Sequence, residues 1–290
     1  MRALMALAGL LFAQLLATSV LADCTPHSLR LAVIPIKSSE DMTREHQVLL
    51  QRLSHATGVP VELVIAASYE SVVDAIVSGG ADIARLGPAS YLLAQRRDPR
   101  IEPFATFTLS GGPYTAAGSH YQALLLTRAG SLEGIEPLRG KRVALSDPAS
   151  TSGSLVPSVE FAGQVGAPLQ QFFGSLVYAG THDKALDALV EGRVDAAFVA
   201  SERADAYLAR HGLAPDRLKV QWRSRPIYYD PYVFSSRLCP ALKNRIRKAM
   251  LDDPEALAAF VTAQDASGLV PVSQAQYEPL RQLMDAALPR

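Results

Sequence analysis

The sequence predicts an α/β protein of two lobes, each a mainly parallel sheet flanked by helices, joined by a two-strand hinge. Three observations carry this. First, residues 69–84 (YESVVDAIVSGGADIA) and 182–197 (HDKALDALVEGRVDAA) match at a constant offset: Asp74 with Asp187, Ala75 with Ala188, Val77 with Val190, Gly79 with Gly192, Asp82 with Asp195, Ala84 with Ala197. Second, the starts of the halves match, residues 30–34 (RLAVI) with residues 142–146 (RVALS). Third, each half reads β-α-β-α-β with apolar strands, and that alternation implies a parallel sheet covered by helices.

The elements follow in order. Residues 1–22 read as a cleaved export leader: Arg2 gives the positive start, an apolar run follows, and Ala22 supplies the small residue before the cut. Asp23 stands before Cys24 where a lipid-attachment signal wants a small residue, which argues against lipidation. In the first half, Met42, Leu49, Leu50, Leu53 and Ala56 share one helical face, Gly58 ends that helix, and residues 59–65 form a strand. In the second, a helix near residues 155–165 stops at Gly166 and residues 176–178 form a strand. Residues 109–120 (LSGGPYTAAGSH) break periodicity and lead into a strand at 121–127. Residues 219–222 and 232–235 read as strands around the turn at 225–231. The tail, 240–288, reads as mostly helical and packs back on the first lobe. The expected division is 23–118 with 228–290 for lobe I and 119–227 for lobe II.

Lys plus Arg number 28 and Asp plus Glu 28, a formal net charge of zero. Nothing in that balance points to a nucleic-acid or acidic-membrane partner. An anionic ligand would have to be met by local dipoles. The six histidines make no H-x-x-x-H pair, and there is no G-x-S-x-G elbow or P-loop, so no metal, cofactor or enzyme is expected. Cys24 and Cys239 are an even pair after leader removal, read as one disulfide, with two free thiols as the alternative.

The strongest site candidate is residues 147–153 (DPASTSG), which follow a strand and open a helix. The first amides of a helix lack intrahelical acceptors, and the dipole favours negative charge there. Ser150, Thr151 and Ser152 add three hydroxyls, more than a cap requires. Charge-assisted bonds of this kind are worth about 1.5–3 kcal/mol each. In the first lobe residues 86–91 (LGPASY) are the weaker counterpart, with Ser90 as the hydroxyl. Tyr69 and His182 occupy matched positions at helix starts. Glu202 and Asp230 read either as a carboxylate pair at the rim or as solvated loop charge.

Taken together, Y-x-x-V-V-x-A from Tyr69, G-G-A-D-I-A-x-L-G-P-A-S-Y from Gly79, D-P-x-S-T-S-G from Asp147, A-G-x-H-D from Ala179 and Tyr229-Asp230-Pro231 occur in an order that resembles the periplasmic substrate-binding proteins of phosphonate, phosphite and phosphate uptake systems. The resemblance spans about residues 29 to 250. It implies a type II periplasmic-binding-protein-like fold and a monomer that captures a small phosphorus oxyanion and passes it to the permease of an ABC importer. It implies that Tyr69, Tyr121, Ser150, Thr151, Ser152 and His182 hold the oxyanion, and that Glu202 and Asp230 meet the ammonium of any aminoalkyl ligand. Departures from the family pattern are a longer segment at 110–119 and the bulky pair Tyr228 and Tyr229, which narrows the pocket toward phosphite or methylphosphonate. The alternatives are a sensing subunit for a membrane kinase or chemoreceptor, or a secreted hydrolase on a similar frame.

Overall fold

The computed structural model describes residues 24 and 26–287; the leader expected over residues 1–22 lies outside them. The first half runs β1 (Leu29–Val33), α1 (Ser39–Thr57), β2 (Val61–Ile65), α2 (Tyr69–Ser78), β3 (Ile83–Arg85), α3 (Pro88–Arg97) and β4 (Glu102–Leu109). After β5 (His120–Tyr121) come β6 (Ala123–Arg128), β7 (Arg142–Leu145) and a helix that starts at Thr151 and ends as α4 (Ala162–Val165). Then follow α5 (Leu169–Phe172), β8 (Ser175–Tyr178), α6 (His182–Val190), β9 (Ala196–Ala200) and α7 (Ser201–His211). The chain returns through β10 (Leu218–Arg223), β11 (Ile227–Tyr228) and β12 (Tyr232–Phe234), and ends with α8 (Pro240–Leu251), α9 (Ala258–Ala263), β13 (Ala266–Pro271) and α10 (Glu278–Ala287).

The repeat read from the sequence is a repeat in space. One sheet has the order β13-β4-β12-β3-β1-β2, the other β10-β6-β9-β7-β8. In each, the second strand of the repeat lies outside the first and the third lies inside it. The anchoring hydrogen bonds are also duplicated. The Arg30 amide donates to Asp82 Oδ2 at 2.8 Å and its guanidinium to the Gly79 carbonyl at 3.2 Å. Arg142 does the same to Asp195 Oδ2 at 3.0 Å and to the Gly192 carbonyl at 3.2 Å. Gly79 and Gly192 hold φ of 81° and 78°, a left-handed conformation that glycine adopts without penalty.

The three strands of each repeat are parallel. The added strands β12, β4, β13, β6 and β10 pair antiparallel. The parallel character therefore belongs to the duplicated units, and the strands added outside them make each sheet mixed. β5 and β11 form a short antiparallel ladder, Ile227 opposite Tyr121 and Tyr228 opposite His120, and this ladder joins the two connections between the sheets. The tail packs against α1 and α3 of the first half, through Arg52 Nε to the Ala249 carbonyl at 2.9 Å and the edge-to-face rings of Tyr91 and Tyr277. It is less helical than its sequence reads, because Ala266–Pro271 extends the sheet edge.

Apolar side chains from both sheets fill the interior, among them Leu31, Phe107 and Phe234 in the first lobe and Phe161, Phe198 and Leu145 in the second. Among the described residues no helix is long and apolar enough to cross a membrane. Cys24 is bonded to Cys239, with Cα atoms 6.1 Å apart and 215 residues of separation. The bond ties the lead into β1 to the start of α8. Closing so long a loop restricts the unfolded chain by up to about 5 kcal/mol in the chain-entropy account. Reduction with a thiol, or Cys239→Ser, is accordingly expected to lower the midpoint of thermal unfolding by several degrees. An unchanged midpoint would show that the bond constrains nothing.

Candidate functional site

Four helices begin at the cavity between the sheets, and each delivers a side chain from its first turn. Tyr69 is the first residue of α2, Thr151 and Ser152 open the helix after β7, His182 is the first of α6, and Glu202 is the second of α7. Tyr121 comes from β5, and Tyr229 and Asp230 follow β11. The space between them is ≈ 20 Å³. On a measure in which one water needs about 10–15 Å³, that admits only a very small solute.

The helix that starts at Thr151 is widely wound. The Leu155 amide donates to the Ser150 carbonyl at 3.0 Å, five residues back, and the Val156 amide to the Thr151 carbonyl. Such π-type winding is uncommon and often marks functional sites. Ser150 caps it, accepting from the Gly153 amide at 3.2 Å. The amides of Thr151 and Ser152 have no carbonyl behind them to reach, so they are free for an incoming acceptor. Gly153 is needed for a steric reason. A Cβ there would lie 2.3 Å from Ser146 Oγ and 2.5 Å from its Cβ.

Ser146 in turn fixes His182. Its hydroxyl lies 2.7 Å from Nδ1, and the Ala200 amide donates to the same nitrogen at 3.2 Å. A backbone amide can only donate, so Nδ1 is the acceptor and the proton of the neutral ring sits on Nε2. Nε2 is 3.4 Å from Ser150 Oγ, on the cavity side. Burial, with the Arg203 charge adding to it, pushes the His182 pKa down to about 3. The ring is therefore a neutral N–H donor. Burial likewise raises the phenols of Tyr69 and Tyr121, which keeps them as O–H donors.

Eight of the nine residues read from the sequence as ligand contacts line this cavity: Tyr69, Tyr121, Ser150, Thr151, Ser152, His182, Glu202 and Asp230. Ser90 does not. It is fully buried, and its hydroxyl donates to the Ala149 carbonyl at 2.8 Å across the cleft. Thr151 Oγ1 accepts from the Ala89 amide at 2.9 Å beside it. The start of α3 thus touches the second lobe directly rather than facing the cavity.

Glu202 and Asp230 are not solvated loop charges. Glu202 Oε2 is out of contact with solvent and has no hydrogen-bond partner. Burial, then repulsion from Asp230, raises the Glu202 pKa to about 8. Burial raises Asp230 to about 6 against the pull of Arg85 and Arg203. Those two arginines are lining residues that the sequence reading missed; of the bulky pair read as narrowing the pocket, Tyr229 lines it and Tyr228 does not. Arg85 had a signal: it ends a buried strand where the second copy of the repeat carries Phe198. Arg203 is held by Asp183 at 2.9 and 3.1 Å and had no comparable signal.

The sequence profile of one family, described as the periplasmic substrate-binding protein of phosphonate ABC transporters, matches residues 31–277. The phosphate-import protein PhnD of Mycolicibacterium smegmatis is 29% identical over 92% of this chain and 88% of its own length. Among solved structures, a binding protein component of an ABC phosphonate transporter from Pseudomonas aeruginosa superposes with a TM-score of 0.80 at 22% identity, covering 89% of this chain and 86% of that one. PhnD1 from Prochlorococcus marinus, in complex with methylphosphonate, gives 0.78 at 16% identity, covering 90% and 98%.

The buried carboxyls give the free protein a pH dependence. Both groups bind a proton more tightly when folded than when unfolded. Their stabilising contribution is therefore complete below about pH 4 and is lost as pH rises through about 6 for Asp230 and about 8 for Glu202. Between about pH 7 and 8.5, where the buried His46 and His182 are neutral folded or unfolded, ligand-free protein is expected to melt at a lower temperature as pH rises. Glu202→Gln is expected to flatten that slope. A variant with the full wild-type slope would remove Glu202 from this account.

Proposed function

The chain belongs to the family of periplasmic substrate-binding proteins of phosphonate ABC transporters, and on that premise we propose that it closes around a small phosphorus oxyanion: a phosphonate, phosphite or phosphate. The permease of an ABC importer receives the ligand. Residues 1–22 act as a cleaved leader, and the mature chain works as a monomer. Residues 23–118 with 228–290 form one jaw and 119–227 the other.

One observation supports the ligand class above the rest: donors converge on the cavity without a net charge on the chain. Two phenols, the hydroxyls of residues 150–152, the Nε2–H of His182 and the free amides at the helix start all present hydrogen to one small volume. A tetrahedral oxyanion offers several acceptor oxygens within that volume. The related proteins point the same way, one being a phosphate-import protein and another having methylphosphonate bound. The binding-protein family carries no catalytic role. A hydrolase would also need His182 as a base, yet its Nδ1 already accepts from two donors and its Nε2 carries the proton. No residue favours a sensing subunit over a transporter component.

Phosphonate, phosphite and phosphate, screened by calorimetry and thermal shift, test the reading. A ligand at one hundred times its Kd adds about 2.7 kcal/mol of stability. Replacing Ser150 and Thr151 together with Ala is expected to weaken binding at least about a hundredfold, or ~2.7 kcal/mol, with the circular dichroism spectrum retained. If no phosphorus oxyanion raises the melting temperature at millimolar concentration, the ligand class is wrong.

A further inference from the structure

Arg85 is 5% exposed, yet its side chain lines the cavity. Its Nη1 donates to Gln264 Oε1 at 2.9 Å and its Nη2 to the Tyr229 hydroxyl at 3.2 Å. The guanidinium carbon lies 5.0 Å from the centre of the Phe107 ring, and Nε has no partner. Gln264 is held in turn, donating to Glu45 Oε2 at 3.1 Å, and Glu45 pairs with Lys37 at 2.8 Å. The head group is therefore fixed from behind by the first lobe.

A guanidinium does not give up its proton in a protein. Arg85 is thus a permanent cation in the same cavity as Glu202 and Asp230. Arg203, from the second lobe, is another, 7% exposed and also without a partner at Nε. Asp183 absorbs part of its charge at 2.9 Å, and shares that carboxylate with Arg210 at 2.6 Å. Among the described residues no carboxylate bonds to Arg85. It is the leading attraction on the Asp230 carboxyl, ahead of Arg203.

We propose that Arg85 determines the specificity of this site: it stands as the resident counter-cation to Asp230, and it selects small phosphorus oxyanions without an amine over those that carry one. The proposal rests on the oxyanion reading above and narrows it. An ammonium group entering the cavity would meet an Asp230 carboxylate that already has a cation and a Glu202 carboxyl that carries little charge at neutral pH. It would also sit beside a like charge where little water screens the repulsion. A methyl group or a bare P–H brings no charge and needs less of the ≈ 20 Å³ that remains. Tyr229 strengthens the arrangement. Its oxygen accepts from Arg85, so its own hydrogen is free for the ligand.

The test is calorimetric titration of the mature protein with methylphosphonate and with 2-aminoethylphosphonate, for wild type, Arg85→Gln and Arg85→Lys. Wild type is expected to bind methylphosphonate at least tenfold more tightly. Arg85→Gln, which removes the cation, is expected to shift the ratio of the two affinities at least tenfold toward the amine. Arg85→Lys is expected to keep the wild-type preference. The proposal is overturned if wild type binds the amine as well or better, or if Arg85→Gln changes both affinities by the same factor. Should Arg85→Gln fail to fold, the wild-type ratio decides by itself. If neither phosphonate, nor phosphite or phosphate, binds to wild type, the oxyanion reading falls, and this proposal with it.

Discussion

Each helix start carries roughly half a positive charge, and those at Tyr69, Thr151, His182 and Ser201 all open on one small cavity. Together they amount to about two charges, built into the backbone of a chain whose side chains sum to zero. Such a field cannot be removed by substitution, and it weakens only if the helices move apart. It adds to the charge of the two arginines that line the ligand space, Arg85 and Arg203. With Glu202 protonated for much of the time at neutral pH, the local balance favours an entering anion.

The donor set depends on a short steric chain. Gly153 lets Ser146 approach the helix start, Ser146 and the Ala200 amide fix His182 in one tautomer, and that tautomer turns an N–H toward Ser150. Two of the links, Ser146 and Ala200, lie just beyond β7 and at the end of β9. Open α/β sheets place ligands there because strand ends and helix starts meet at that edge. The duplicated topology gives two such edges, and the β5–β11 ladder lets them face each other.

Much of this was legible in the sequence, for identifiable reasons. Repeated residues forced a repeated fold, so Arg30, Asp82 and Gly79 predicted the same bonds that Arg142, Asp195 and Gly192 make. The hydroxyl run before Gly153 was legible because a helix cap needs only one such group. Other features were hidden. Ala266–Pro271 contains Ser, Gly and Pro and shows no alternation, so only its pairing with β4 makes it a strand. Arg203 faces the cavity because α7 packs against α6, and Asp183 and Arg203 are too far apart in sequence to declare their pairing. Ser90 looked like a ligand contact because its segment resembles the other helix start. Which surface that start would touch depended on how the lobes meet, and local sequence does not contain that.

The meeting of the lobes also links capture to closure. Residues 147–153 supply cavity hydroxyls and, in the same loop, the groups that hold the opposite lobe: Ala149 through its carbonyl and Thr151 through its oxygen. Thr151 Oγ1 accepts from Ala89 across the cleft, which leaves its own hydrogen to point at the ligand space. An anion that orders this hydroxyl therefore orders the contact between the jaws, and jaws that meet there pre-orient the hydroxyl for an anion. The two events share one side chain, so their free energies are coupled in both directions.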